Sequence, residues 1–146
     1  MTMRYAVQAQ TLRGVATARL KGTALPFDGT SSQSPTLAGP ADLLTAAFAA
    51  CVLKNVERFS HLLPFRYERA SIDVVADREE PPPRIARIRY TLDLVTDEPL
   101  DRCELLHRNI KKFGTVYNTL AAVCEVSGDL RVERPGSQLP FPSPNP

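Results

Sequence analysis

Over residues 3–11, Tyr5, Val7 and Ala9 alternate with Arg4, Gln8 and Gln10, the two-residue period of a strand. Arg13-Gly14 then reads as a turn, and residues 15–21 as the second strand of a hairpin. Residues 23–39 are rich in Gly, Ser, Thr and Pro and carry little periodicity. They predict a long loop with one short strand near Leu25. Further on, Ala70, Ile72, Val74 and Ala76 alternate with Arg69, Ser71, Asp73 and Asp77. After the break Glu79-Glu80-Pro81-Pro82-Pro83, Ala86, Ile88, Tyr90, Leu92 and Leu94 alternate with Arg87, Arg89, Thr91 and Asp93. Proline cannot donate to a ladder, so these are two strands of one antiparallel hairpin, apolar on one face.

Between the hairpins the period changes. From Leu43 to Leu53 eleven residues carry no charge, and Thr45 is the only polar one. A surface helix would show polar residues on every turn, so this stretch predicts a buried helix. It is too short to cross a bilayer. Pro40 suits the first helical position, and Asp42 places a negative charge at the positive end of the helix dipole. Alanines at 46, 47, 49 and 50 leave room for another helix to approach. Leu44, Phe48, Cys51 and Asn55 share one stripe, at spacings of four, three and four.

Asp97 and Pro99 mark a second helix start, after which Leu100, Cys103, Leu106, Ile110 and Phe113 form an apolar stripe. His107, Arg108, Lys111 and Lys112 crowd its last turn, where cations complement the dipole, and Gly114 suits a helix end. A helical turn over 116–122 leads to a last strand over 123–133, with Cys124 at its start. Strands and helices are segregated along the chain, so the class is α+β. Residues 1–134 make one domain and 135–146 a Pro-rich tail, with five prolines in RPGSQLPFPSPNP. One such domain cannot cover an apolar central helix on every side, so a homodimer packing two of these helices together is expected.

Composition narrows the function classes. Eighteen basic and sixteen acidic residues leave a net charge of +2 with no basic run, which gives no footprint for nucleic acid. MTMRYAVQAQ has no hydrophobic signal region and no segment reaches membrane length, so a cytoplasmic protein is expected. Cysteines at 51, 103 and 124 fit neither a disulfide framework nor a zinc site, and His61 and His107 stand apart. No metal and no cofactor is implied. Most buried cysteines are inert packing, which is the expectation for Cys103 on its stripe.

For Cys51 the surrounding motif points elsewhere. GPADLLTAAFAAC resembles the signature of the OsmC/Ohr family, the osmotically inducible and organic hydroperoxide resistance proteins, and the order of elements over residues 4–133 is similar. The resemblance implies antiparallel sheets around a long buried central helix, an intertwined homodimer, and sites at the subunit interface. It also implies that Cys51 attacks the O–O bond of a hydroperoxide, with Leu44, Phe48 and Tyr117 along the substrate pocket. In the family a second cysteine captures the oxidised sulfur. An N-terminal arginine, held by a glutamate at the start of the cysteine helix, supplies the positive charge that a thiolate needs. Here Arg13 is the match for that arginine, with Arg19 the other candidate.

Two matching positions depart from the family pattern. The glutamate falls at Ala41, and Asp42 projects about 100° away on a helix. The second motif aligns with Gly114-Thr115-Val116-Tyr117-Asn118-Thr119-Leu120, so its cysteine position is Gly114. Two functions of different class follow. One is a weak one-cysteine thiol peroxidase for oxidative stress defence, which reduces organic hydroperoxides through Cys51 and is restored by a thiol reductant. The other is a non-catalytic binder of a small apolar ligand at the dimer interface.

Overall fold

A computed structural model describes residues 1–136. These divide into two compact units, Met1–Leu44 and a second from Thr45 onward. The Pro-rich tail expected at 135–146 lies outside the described residues from 137 on.

The first unit is a meander of β1 (Gln8–Leu12), β2 (Val15–Leu20) and β3 (Thr23–Asp28), antiparallel in the order β1-β2-β3. Both connections are two-residue turns with positive φ throughout: Arg13 at 52° and Gly14 at 91°, then Lys21 at 47° and Gly22 at 82°. That backbone twist matches the twist of the flanking strands. The strand expected from residue 3 begins at Gln8, which pairs with Arg19. β2 turns away just beyond, so residues 3–7 find no ladder on it. β3 is longer than expected, and Pro26 hid it; a proline is tolerated there because β3 is an edge strand. The Asp28 carboxylate then folds the following loop. It accepts hydrogen bonds from Thr30 N (2.9 Å), Thr30 Oγ1 (2.6 Å) and Ser34 N (2.8 Å). These bonds, the Thr30 hydroxyl first, hold its pKa below the usual range.

Helix α1 (Pro40–Leu62) starts in the first unit and lies mostly in the second. The Gly39 carbonyl accepts from Leu43 N at 3.0 Å, and Asp42 Oδ2 accepts from Gly39 N at 2.9 Å. Asp42 therefore reaches back to cap the helix, half of a capping box.

In the second unit, β4 (Arg69–Glu79) pairs with β5 (Arg84–Val95) as the expected antiparallel hairpin, with a register shift between Asp77 and Arg78. Helices α2 (Leu100–Phe113) and α3 (Thr115–Ala121) follow, and then β6 (Glu125–Glu133). β6 runs parallel to β5, because the two-helix crossover returns the chain to the same end of the sheet. The core joins Phe48, Val52, Val56 and Phe59 of α1 to Ile88, Tyr90, Leu92 and Leu94 of β5. Cys103, Leu106 and Ile110 of α2 and Tyr117 and Leu120 of α3 close it. Gly128 of β6 pairs with Tyr90, whose ring lies over it; a Cβ at 128 would sit 2.1 Å from ring atoms. On the other face of the sheet Arg131 Nε donates to the fully buried Asp93 at 2.5 Å.

α1 is buried on one face only. Ala46, Ala47 and Ala50 are exposed, and Leu44 is 38% exposed. The stripe on α2 also narrows to its middle, since Leu100 and Phe113 both reach solvent.

Candidate functional site around Cys51

Cys51 sits three turns into α1, half-buried, with a free thiol. Two neighbours bound its sulfur. One turn on, Asn55 Nδ2 donates to the Cys51 carbonyl at 2.8 Å and lies 3.7 Å from Sγ. The other is Gly114, which closes α2 and opens α3. Gly114 ends α2 as expected, but its φ of −69° is open to any residue, so backbone freedom does not explain the glycine. Space explains the glycine. A Cβ there would meet Ile110 O at 2.9 Å, Tyr117 Cβ at 3.0 Å and Cys51 Sγ at 3.1 Å.

Phe48 and Tyr117 belong to an aromatic cluster in the core of the second unit. Phe48, three residues before Cys51, is fully buried, with its ring 5.4 Å from that of Tyr117 and 5.6 Å from that of Tyr90. Tyr90 meets Tyr117 edge-on at 6.1 Å, and the Tyr90 hydroxyl lies 2.6 Å from His107 Nε2. Burial, helped by the Lys111 charge, pushes His107 down to about 4. Burial, and then Tyr117, raise the Tyr90 phenol above its ordinary value. Both groups are therefore neutral at pH 7, and His107 is not the dipole-complementing cation that its place in the sequence suggests. Its Lys111 and Lys112 neighbours do occupy the last turn of α2.

Of the residues expected at the site, Cys51 and Tyr117 meet at Gly114 in the second unit, and the Phe48 ring packs on that of Tyr117. Arg13 opens the β1–β2 turn and Arg19 lies on β2, both exposed and both in the first unit with Leu44. Ala41 occupies the first turn of α1, and the neighbouring Asp42 carboxylate is taken up by the Gly39 cap. The other thiols have carbonyl partners of their own: Cys103 Sγ with Glu98 O at 3.7 Å and Cys124 Sγ with Ile85 O at 3.1 Å. Burial raises the Cys103 pKa. Cys103 is eleven residues before Gly114, about 16 Å along the helix, so it stays well away from the sulfur that Gly114 touches.

Three residues at or near the site were not singled out for it from the sequence. Asn55 had a signal, as the one polar member of the Cys51 stripe. His107 had one too, lying four residues after Cys103 and three before Ile110, on the buried face. Tyr90 had none, because its approach to α1 and α3 depends on how strands and helices pack.

A family model described as OsmC-like protein matches residues 33–127. No protein in the curated set matches the chain. Among solved structures, the OsmC-like protein of Mycoplasma pneumoniae is similar with a TM-score of 0.79 at 16% identity, over 92% of this chain and 99% of that one. An organic hydroperoxide resistance protein, OsmC, from Legionella pneumophila gives 0.69 at 14%, over 90% and 99%. The organic hydroperoxide resistance protein OhrB of Bacillus subtilis gives 0.65 at 16%, over 88% and 98%. At these identities the likeness is one of fold.

Proposed function

The chain belongs to the OsmC-like protein family, and on that premise we propose that it is a one-cysteine thiol peroxidase reducing organic hydroperoxides through Cys51. The thiolate attacks the terminal oxygen of R–O–O–H. An S–O bond forms, the O–O bond breaks, and the alkoxide takes a proton to leave as the alcohol. The sulfenic acid then condenses with an external thiol, releasing water and leaving a mixed disulfide. A second external thiol displaces Cys51 and restores it, so two thiols are oxidised to a disulfide for each hydroperoxide reduced.

The observation that carries this reading is the contact between Cys51 and Gly114. A Cβ at 114 would lie 3.1 Å from the sulfur, and in a disulfide a Cβ lies about 3 Å from the far sulfur. Position 114 is thus where a resolving cysteine would bond, and it holds glycine. Part of the proposal is a homodimer closed over the exposed Ala46, Ala47 and Ala50 face of α1, where small residues let a second helix approach closely.

The test is consumption of cumene hydroperoxide by the wild type and Cys51→Ser, with a monothiol or a dithiol as reductant. The wild type should turn over with either reductant and Cys51→Ser with neither. Equal consumption by both proteins, or none by either, would refute the peroxidase reading; binding of an apolar ligand without turnover would replace it.

A further inference from the structure

Asn55 is 7% exposed in the interior of α1, a place that disfavours asparagine and makes an unsatisfied amide costly. A primary amide has two hydrogens to give. One serves the Cys51 carbonyl at 2.8 Å, an acceptor that the helix ladder already uses. The same nitrogen lies 3.7 Å from Cys51 Sγ, within reach of a hydrogen bond to sulfur. Gly114 also lies against the sulfur.

We propose that Asn55 is the hydrogen-bond donor to the reacting sulfur, binding the thiolate of Cys51 and then the oxygen that the sulfur acquires. The proposal rests on the peroxidase reading for the second half of that role and not for the first. A donor to a charged acceptor binds more tightly than one to a neutral acceptor, so the contact strengthens as the thiol ionises. It thereby favours the form that attacks.

Two variants separate this from a purely structural part in the helix. Asn55→Leu keeps the size and removes both hydrogens. Asn55→Ser keeps a hydroxyl that can bond back to the Cys51 carbonyl but has no second hydrogen for the sulfur. The measurements are iodoacetamide alkylation of Cys51 across pH and its single-turnover oxidation by cumene hydroperoxide, with circular dichroism as the check on folding. Both variants should react about tenfold more slowly near neutral pH, with alkylation profiles moved to higher pH. Reaction of folded Asn55→Ser at the wild-type rate would overturn the proposal and leave Asn55 a helix-bonding residue. A wild type that ignores hydroperoxide while alkylation still depends on Asn55 would refute the peroxidase reading and support the donor. A readout that needs no variant at 55 is the side-chain amide NMR signal of Asn55. It should shift in step with ionisation of Cys51 in the wild type and stay still in Cys51→Ser; a signal that never moves would count against the donor.

Discussion

Gly114→Cys puts the proposed site under the most direct test, because space and chain entropy act on it with opposite signs. The new Cβ meets Ile110 O at 2.9 Å and Tyr117 Cβ at 3.0 Å. Ile110 O is backbone within α2 and cannot swing aside, so the junction of α2 and α3 must shift; overpacking of this kind costs about 1–3 kcal/mol. Replacing a glycine whose φ is permissive recovers only about 0.4–1 kcal/mol from the unfolded chain. The reduced variant should therefore be less stable than the wild type, and Gly114→Ala should share the loss. At about 2–4 °C per kcal/mol, the melting temperature should fall by roughly 5 °C. Oxidation reverses the sign. A disulfide from 51 to 114 closes a loop of about 60 residues, worth roughly 4 kcal/mol, which exceeds the overpacking cost. The oxidised variant should melt above the wild type, and a reductant should remove the gain. Thermal unfolding with and without reductant reads the balance, and peptide mass spectrometry reads the cross-link. With a dithiol donor the variant should also resist over-oxidation, because its sulfenic acid has a captor. Failure of residues 51 and 114 to cross-link would refute the geometry, as would a Gly114→Ala variant more stable than the wild type.

The remaining predictions concern assembly, oxidation and pH. Ala47→Glu should yield a monomer by sedimentation if the exposed face of α1 is the dimer contact; Phe48→Asp is the wrong variant for that question, since Phe48 is fully buried within the chain. Mild peroxide should add the mass of one oxygen, or of one external thiol, to Cys51, and a Cys51–Cys103 cross-link would contradict the separation along α2. His107, pushed down to about 4 from an ordinary value of 6.5, takes up its proton in the unfolded chain first. Stability should therefore be full above about pH 6.5 and decline as the pH falls towards 4, by on the order of 2–3 kcal/mol. The urea midpoint of His107→Phe should fall less over that window, and parallel curves for variant and wild type would refute the cause.

The parts of the fold that could be read from the sequence are those where one face of an element is buried by its own unit. The β4–β5 hairpin is the clearest case. Ile88, Tyr90, Leu92 and Leu94 line the core, and a slip of one residue would turn all of them to the other face. β3 was hidden because TALPFD lacks alternation and contains Pro26, and the direction of β6 was hidden because pairing across a two-helix crossover leaves no local mark. α1 is the element whose burial one chain leaves incomplete. Its uncharged run predicts burial all round, and the chain buries only the Phe48, Val52, Val56 and Phe59 face.

Gly114 is ambiguous in the sequence. A glycine after a lysine-rich helical turn reads most simply as a helix end, a role set by backbone freedom. Its φ of −69° removes that explanation, and the three close approaches to its absent Cβ supply another. The glycine is required by what surrounds it, and one of those neighbours is the Cys51 sulfur. As the chain stands, α2 and α3 close against the sulfur, and a side chain able to capture it would force them apart. Under the proposed chemistry, the oxidised sulfur is then left to an external thiol. In the reduced chain the glycine at 114 avoids the cost of opening the α2–α3 junction, a cost that only an oxidised cross-link would offset.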